Sequence, residues 1–245
     1  MKKNKKYGLI GKNIDYSFSK SYFTNKFKVE NLNCEYLNFD LNNFRLIKTI
    51  LVQKDIYGLN VTVPFKEKII DYLDEVDEIA KNIGAVNTIK KIENKNIGFN
   101  TDYIGFEKSL LSLIGNKKPK NALILGSGGA SKAVKYVLKK LNINFSTVSR
   151  NKDKYEFIYE NLNDDILNKF KMIINCSPVG TFPNINNCPN IPYKFLTKDH
   201  VLYDLVYNPI ETLFLKKGNG LGCKTKNGLE MLEIQAEESW KIWND

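Results

Sequence analysis

Residues 121–133 read Asn-Ala-Leu-Ile-Leu-Gly-Ser-Gly-Gly-Ala-Ser-Lys-Ala: an apolar segment, a glycine-rich turn and the start of a segment that favours a helix. Glycines in such a turn let the backbone come close to a pyrophosphate, and the free N–H groups at the start of the helix favour negative charge. A glycine turn alone is weak support for a nucleotide site, but the strand before it and the helix after it supply the required context. The stretch therefore predicts a parallel α/β unit that binds a dinucleotide.

The end of the next predicted strand, residues 145–148, indicates which dinucleotide is bound. A site selective for NAD typically places a carboxylate there to bind the ribose 2′-hydroxyl, whereas a 2′-phosphate is suited by a guanidinium that forms two parallel hydrogen bonds. Arg150 occupies this place, with Lys152 and Lys154 close by. These cations favour NADP, while Asp153 either caps a helix or faces the ribose.

Length and composition are those of a soluble globular protein with two modest domains. The chain has 245 residues, of which 42% are hydrophobic and 26% charged, so we expect a sizeable core and no wholesale disorder. The formal charge of +10 comes from 37 Lys and Arg against 27 Asp and Glu. Because these cations are dispersed and form no basic stripe with aromatics, we predict small anionic ligands and no nucleic-acid or membrane partner.

Cysteine and histidine usage argues against a metal site and against a disulfide framework. The cysteines form no Cys-x-x-Cys pair and His200 is the one histidine, so we predict no metal and a reducing, cytoplasmic location. The lysine-rich residues 1–6 resemble the start of a signal peptide, but the apolar run at residues 7–10 is too short to complete one.

The first hundred residues alternate between predicted strands and helices, the pattern of an α/β domain. Strands are predicted over residues 6–11, 34–39 and 56–63, helices over 22–32, 44–53, 66–73, 75–82 and 103–113, and a hairpin around 93–96. Beyond a polar linker at 115–119, further strands are predicted at 145–148 and 201–205, and residues 172–180 predict a buried strand that ends in a proline and glycine turn. An amphipathic helix is predicted over 227–243. We interpret the linker as a domain boundary because it is polar and closed by a proline.

Residues 60–66, Asn-Val-Thr-Val-Pro-Phe-Lys, predict a strand that ends just before a lysine. The proline ends the strand because its ring supplies no N–H, and loops at strand ends are where a rigid scaffold presents reactive groups. Taken alone, Lys66 is expected to be an ordinary surface residue. If Asp102 faces it, the two form a charged pair that can tune a proton-transfer group; otherwise Asp102 simply begins the helix that follows.

Short polar side chains at predicted element ends have two interpretations. Ser17 and Ser19 precede the first helix, where one serine can cap it while the other offers its hydroxyl to an anion at the helix N-terminus. The Asn-Thr pairs at residues 87–88 and 100–101 are expected to be turn formers and caps.

Seven segments, taken in order, resemble the shikimate dehydrogenase family over nearly the whole chain. They are residues 17–19, 60–66, 84–88, 100–102, 126–131, 203–209 and 228–235. The resemblance implies two α/β domains: an N-terminal substrate domain with a mainly parallel sheet, and a Rossmann-like NADP domain. It also implies a C-terminal helix that returns to the first domain. The predicted limits are 1–101 with 229–245 for the substrate domain and 102–228 for the NADP domain.

The same resemblance implies an oxidoreductase that reversibly reduces 3-dehydroshikimate to shikimate with NADPH, a step of aromatic amino-acid biosynthesis. Lys66 is the implied proton donor and Asp102 its orienting partner. Substrate contacts are implied for Ser17, Ser19, Thr62, Asn87, Tyr207 and Gln235, with the two serines holding the substrate carboxylate. Cofactor contacts are implied for Gly126, Ser127, Gly128, Gly129, Ala130, Arg150, Leu205 and Gly228.

Two alternatives stay open at this point. One is a quinate/shikimate dehydrogenase that prefers NAD or another cyclohexane carboxylate; the other is a non-catalytic NADP-binding regulator. Several positions also depart from the family pattern. Tyr16 and Lys20 stand where histidine and proline commonly flank the serines, Ser149 and Asn151 differ from the usual neighbours of Arg150, and Glu230 replaces a small residue near the implied nicotinamide site. We expect a monomer or a homodimer.

Overall fold

The computed structural model describes residues 4–15, 17–150 and 157–245 of the chain. It divides into two compact units, Met1–Asp102 with Gln235–Asp245, and Tyr103–Ile234. Each unit contains one β-sheet with helices against it, which confirms the predicted α/β class.

The sheet of the first unit has, in the described residues, six strands in the order β2-β1-β3-β5-β6-β4. These strands are β1 (Lys5–Gly11), β2 (Cys34–Asp40), β3 (Ile56–Val61), β4 (Glu75–Val76), β5 (Thr88–Ile92) and β6 (Lys95–Phe99). The pairs β1–β2, β1–β3 and β4–β6 are parallel, whereas β3–β5 and β5–β6 are antiparallel. The helices are α1 (Phe18–Val29), α2 (Ile47–Leu51) and α3 (Glu78–Ile83), with 3-10 turns at Phe44–Leu46 and Lys68–Tyr72.

The segment from residue 75 differs from the single helix that we predicted over 75–82. Glu75–Val76 pairs with β6 as a short strand, and the helix begins only after Asp77. The Asp77 carboxylate accepts hydrogen bonds from the N–H groups of Ile79 and Ala80, at 2.9 and 3.3 Å. This N-cap sets the start of α3, because it satisfies N–H groups that have no partner within the helix.

The sheet of the second unit is parallel throughout its described strands, in the order β11-β10-β9-β7-β8. Its strands are β7 (Asn121–Leu125), β8 (Asn144–Val148), β9 (Met172–Asn175), β10 (Val201–Asp204) and β11 (Lys224–Lys226). Its helices are α4 (Asp102–Ile114), α5 (Gly129–Lys140), α6 (Asp164–Lys169) and α7 (Leu213–Asn219), with 3-10 turns at Tyr159–Asn161 and Tyr193–Phe195.

Strand β7 carries the glycine turn and is buried on both faces. Ala122 and Ile124 pack into one hydrophobic core of the unit, and Leu123 and Leu125 pack into the other. Successive side chains of a strand point to opposite faces, so a continuous apolar run suits a parallel sheet that helices cover on both sides. The turn at residues 126–128 is therefore held at the carboxyl end of an interior strand.

The polar residues 115–119 lie inside the second unit, between α4 and β7, and do not form the boundary that we predicted there. The reason is the packing of α4. Its residues Phe106, Leu110 and Ile114 belong to the same hydrophobic core as Ala122 and Ile124.

The C-terminal helix α8 (Leu229–Asn244) contributes its residues from Gln235 onward to the first unit, so the predicted return of this helix is confirmed. Its Trp243 ring packs on Gly58, where a Cβ atom would overlap the indole. Trp243 Nε1 donates a hydrogen bond to the Ile89 carbonyl at 3.0 Å, and its ring lies 5.0 Å from that of Tyr7. None of the helices in the described part of the chain combines the length and apolar character needed to cross a bilayer.

Candidate active site

Lys66 and Asp102 form a short, shielded ion pair in the first unit. Lys66 Nζ lies 2.6 Å from Asp102 Oδ2, and the two side chains are only 13% and 6% exposed. The backbone around Lys66 is fixed by the buried ring of Phe65 and by a hydrogen bond from Val86 N–H to the Lys66 carbonyl at 2.8 Å. The structure thus brings together the two residues that the sequence placed in the catalytic role.

Asn87 holds the other oxygen of the Asp102 carboxylate. Its Nδ2 donates to Asp102 Oδ1 at 3.0 Å, and the same amide group lies 3.1 Å from Gln235 Oε1. Asn87 Oδ1 in turn accepts from the Thr101 N–H at 2.6 Å. A buried charge is tolerated when its remaining lone pairs are satisfied, so these contacts fix the direction in which Asp102 presents its carboxylate to Lys66.

Behind this pair lies a buried polar cluster, which we call the amide–hydroxyl cluster. Its members are Asn60, Asn87, Thr88, Thr101, Gln235 and Ser239, each at most 5% exposed. The Asn-Thr pairs at residues 87–88 and 100–101 were expected to be turn formers and caps, and Ser239 was not predicted as a site residue. Two Asn-Thr pairs at neighbouring strand ends are the signal that could have indicated paired buried polar groups.

Ser17 and Ser19 lie at the start of α1. Ser17 is the N-cap: its Oγ accepts from the Lys20 N–H at 3.3 Å and donates to Asn38 Oδ1 at 3.2 Å. Burial raises the pKa of Tyr36, and the hydroxyl of Ser19 beside it opposes that shift. The first turn of α1 contains no acidic side chain, so the half-buried serines stand where an anion is favoured.

Thr62 lies one residue beyond β3. Its N–H donates to the Ile10 carbonyl and its carbonyl accepts from the Phe65 N–H, at 2.8 and 2.9 Å. The first bond continues the pairing with β1, and the second closes the turn that leads to Lys66, so β3 ends at Val61 and not at the predicted residue 63.

The glycine turn of the second unit has the geometry that a pyrophosphate requires. Gly126 adopts a φ of +103°, and a Cβ atom on it would lie 3.2 Å from the Ser177 nitrogen. Gly128 is the N-cap of α5, and a Cβ atom there would meet nothing within 4 Å. The space beside Gly128 and the free N–H groups at the start of the twelve-residue α5, whose first turn has no acidic residue, are suited to an anionic ligand.

Arg150 follows the carboxyl end of β8, next to β7 in the sheet, and its side chain is exposed. The guanidinium lies close enough to Tyr159 to lower the pKa of that phenol, against the increase that burial causes. Lys152, Asp153 and Lys154, which we considered with Arg150, lie outside the described residues, as does Tyr16.

Leu205 and Gly228 meet through their backbones in the second unit. A Cβ atom on Gly228 would overlap the Leu205 carbonyl, and Gly228 N–H donates to the Val206 carbonyl at 3.1 Å. Tyr207 follows in the same loop and is half-buried. Glu230, which departs from the family pattern, pairs with Lys226 and accepts from Ser109 Oγ at 3.1 Å.

The residues of the second unit fit a phosphorylated dinucleotide. Gly126, Gly128 and the start of α5 are suited to hold the pyrophosphate, and Arg150 is placed at the strand end where a 2′-phosphate is expected. Together with the Lys66–Asp102 pair, this fold and these sites define a dinucleotide-dependent oxidoreductase of the α/β class.

Known proteins resemble the chain over nearly its whole length. Residues 9–89 match the model of the shikimate dehydrogenase substrate binding domain. The shikimate dehydrogenase (NADP(+)) of Methanococcus maripaludis is 43% identical over 98% of this chain and 91% of its own length. The crystal structure of shikimate dehydrogenase from Aquifex aeolicus has 38% identity and a TM-score of 0.86, covering 100% of this chain and 94% of that one. The Thermus thermophilus enzyme, solved in complex with NADP(H) and shikimate, has 27% identity and a TM-score of 0.84, covering 98% and 93%.

The chain therefore belongs to the shikimate dehydrogenase family. This membership confirms the family suggested by the ordered motifs of the sequence.

Proposed function

We propose that this protein is a shikimate dehydrogenase that reversibly reduces 3-dehydroshikimate to shikimate with NADPH. The observation that carries the proposal is the Lys66–Asp102 pair, shielded from solvent and held by Asn87, whose amide also lies beside Gln235. The relatives, which are named for this activity with NADP, support both the substrate and the cofactor.

Lys66 is the proton donor in the reduction. NADPH, when bound, supplies hydride to the carbonyl carbon, which leaves negative charge on the carbonyl oxygen. An ammonium group at that oxygen stabilises the charge and transfers a proton to it, and in the oxidation the lysine takes the proton back. Asp102 accepts a hydrogen bond from Lys66 Nζ at 2.6 Å and so orients it toward the oxygen.

The remaining proposed contacts bind and orient the cyclohexene ring. Ser17 and Ser19 hold the substrate carboxylate at the start of α1, supported by the helix N–H groups and by the absence of acidic side chains in its first turn. Thr62, Asn87, Tyr207 and Gln235 hydrogen-bond the other oxygens. In the second unit, Ser127, Gly129 and Ala130 complete the pyrophosphate loop, and Leu205 and Gly228 form the backbone beside the nicotinamide.

We further propose residues 1–101 with 229–245 as the substrate domain and 102–228 as the NADP domain. A cytoplasmic location is supported by cysteines that show no disulfide or metal-site spacing. A monomeric or homodimeric state completes the proposal.

The deciding experiment is a spectrophotometric assay of NADPH formation from shikimate. We expect Lys66→Ala to lower kcat at least about 100-fold, the usual contribution of a positioned acid or base, and Asp102→Asn to lower it as well. Lys95→Ala is the matched control, because Lys95 forms an exposed ion pair with Glu75 in the same unit. Undiminished turnover in Lys66→Ala would contradict the mechanism.

The same assay distinguishes the alternatives. Shikimate is compared with quinate and NADP with NAD, in the wild type and in Arg150→Ala. We expect Arg150→Ala to raise the KM for NADP far more than that for NAD, because only NADP carries the phosphate. Preference for quinate with NAD would indicate the quinate/shikimate enzyme, and the absence of turnover with every pair would indicate the regulator.

A further inference from the structure

Ser239 belongs to the amide–hydroxyl cluster and, like Asn60, Thr88 and Thr101, has no contact with substrate in the proposed reaction. It lies on α8, one turn after Gln235, and is fully buried. Its Oγ donates to the Gln235 carbonyl at 2.9 Å. The same oxygen lies 2.7 Å from Thr88 Oγ1, 3.1 Å from Thr101 Oγ1 and 3.1 Å from Asn60 Nδ2.

The directions of these hydrogen bonds follow from the number of protons. A serine hydroxyl has one proton, and a backbone carbonyl can only accept, so the bond to Gln235 uses the proton of Ser239. Ser239 Oγ is then only an acceptor, and its two lone pairs are shared among the hydroxyls of Thr88 and Thr101 and the amide of Asn60. The protons of Thr88 and Thr101 are drawn to it, because these contacts are shorter than the 3.1 and 3.3 Å from the same hydroxyls to Asn87 Oδ1.

The direction of the Thr101 hydroxyl matters for the two amides next to the catalytic pair. With its proton on Ser239, Thr101 Oγ1 presents lone pairs to Asn87 Nδ2 at 2.9 Å. Without that acceptor, the proton turns toward Gln235 Oε1 at 3.4 Å or Asn87 Oδ1 at 3.3 Å. Either new bond would compete with an existing one: with the Asn87 amide at Gln235 Oε1, or with the Thr101 N–H at Asn87 Oδ1. Both existing bonds orient amides of the proposed substrate site.

We propose that Ser239 is a positioning residue for substrate binding. It orients the Thr88 and Thr101 hydroxyls and thereby fixes the amides of Asn87 and Gln235 in the directions that suit shikimate. The inference rests on the proposed function, since it concerns binding of that substrate. Ser239 itself does not touch the Lys66–Asp102 pair, so it acts through the two amides.

The test compares Ser239→Ala and Ser239→Cys with the wild type, with shikimate titrated at saturating NADP. Alanine is the best helix former, so the first variant keeps α8; cysteine keeps most of the volume but accepts hydrogen bonds weakly. We expect both to raise the KM for shikimate on the order of fivefold, as one lost buried hydrogen bond does. The kcat and the KM for NADP are expected to change less than about twofold.

The matched control is Ser109→Ala. Ser109 is also fully buried and hydrogen-bonded, accepting from Tyr203 Oη at 2.9 Å, but it lies in the second unit. We expect this variant to lose some stability without a change in the KM for shikimate. An equal rise in KM in Ser109→Ala would show that the effect of Ser239 is general destabilisation, and it would overturn the inference.

A double-mutant cycle with Gln235→Ala tests the route of the effect. If Ser239 acts through Gln235, then Ser239→Ala adds less to the KM in the Gln235→Ala background than in the wild type. Full additivity refutes the positioning role and leaves the proposed function intact. The same conclusion follows if the wild type is active and Ser239→Ala has an unchanged KM for shikimate. A wild type that neither binds nor turns over shikimate refutes both.

Discussion

The carboxyl group of Asp204 lies fully buried at the end of β10, in the second unit. It accepts hydrogen bonds from Thr212 Oγ1 at 2.6 Å, Asn175 Nδ2 at 2.9 Å and Val206 N–H at 3.0 Å. Burial nevertheless raises the pKa of Asp204 to about 6, because the loss of hydration outweighs the three hydrogen bonds that favour the carboxylate. One carboxyl group thus secures the loop that carries Leu205 and Tyr207 and at the same time makes it sensitive to pH.

We expect this carboxyl to make the stability of the protein depend on pH between about 4 and 6. The ordinary pKa is 3.8, so in this window the folded protein binds more protons than the unfolded chain. The free energy of unfolding therefore falls as the pH rises from the lower value to the higher one. The loss is at most about 3 kcal/mol, since one pKa unit corresponds to about 1.4 kcal/mol.

Urea unfolding of the wild type and of Asp204→Asn between about pH 4 and 6 measures how much the Asp204 carboxyl contributes to the free energy of unfolding. Asparagine has nearly the same shape and keeps an acceptor oxygen, but it does not titrate there. The difference between the two proteins removes the contributions of other groups. A difference that stays constant with pH would mean that the Asp204 pKa is not raised.

Single residues also differ in how far their roles can be predicted from the sequence. The positions of Lys66 and Asp102 alone left Lys66 an ordinary surface residue and its pairing with Asp102 conditional, and the catalytic pair was implied by the family resemblance of residues 60–66 and 100–102. Ser239 could not be found in this way. Its position on α8 predicts only burial, and its partners Asn60, Thr88 and Thr101 come from distant parts of the chain.

At the scale of elements, the turn between β7 and α5 and the start of α8 use glycine for different reasons. Gly128 has φ and ψ of −75° and 178°, which any residue can adopt, and the place of a Cβ atom on it is open. Gly228 allows its backbone to touch Leu205, where a Cβ atom would overlap the carbonyl. Of these two glycines, Gly128 is the one where the position of a Cβ atom is open to a ligand.

We expect Gly128→Ala to weaken NADP binding without unfolding the protein. Replacing a glycine N-cap by alanine costs about 1 kcal/mol or less, whereas a methyl group in the pyrophosphate space is expected to raise the KM for NADP at least about tenfold. Gly228→Ala is the contrasting variant: the backbone overlap is expected to lower the melting temperature. Normal NADP binding by a folded Gly128→Ala would rule out this turn as the pyrophosphate site.

Local signals explain which elements were predictable. The β7–turn–α5 segment was predicted because its apolar run, glycines and helix formers are consecutive in the sequence. Strands β4 and β11 were not, because Glu75–Val76 and Lys224–Lys226 are too short and polar to show a period. They are strands because β6 and β10 offer them an edge to pair with, which is information held in the tertiary fold.

At the scale of the whole molecule, the proposed substrate contacts and the proposed cofactor contacts lie mainly in different units. The first contains Lys66, Asp102 and the proposed substrate contacts other than Tyr207, and the second contains every proposed cofactor contact. The end of α8 completes the first unit, because Trp243 belongs to an aromatic core with Tyr7, Phe23 and Phe27. Loss of that core should therefore weaken substrate binding more than it weakens NADP binding.

We expect Trp243→Ala to destabilise the first unit by about 3–5 kcal/mol, the usual cost of truncating a buried tryptophan. The variant loses ring packing on Gly58 and Tyr7 and the hydrogen bond to the Ile89 carbonyl, so α8 holds Gln235 and Ser239 less firmly. Thermal unfolding and separate titrations with shikimate and NADP measure the effect. The control is Val29→Ala, since Val29 is 70% exposed in the same unit. Shikimate affinity is expected to fall while NADP affinity is retained; an equal loss of both would show that the second unit does not bind its ligand independently of the first.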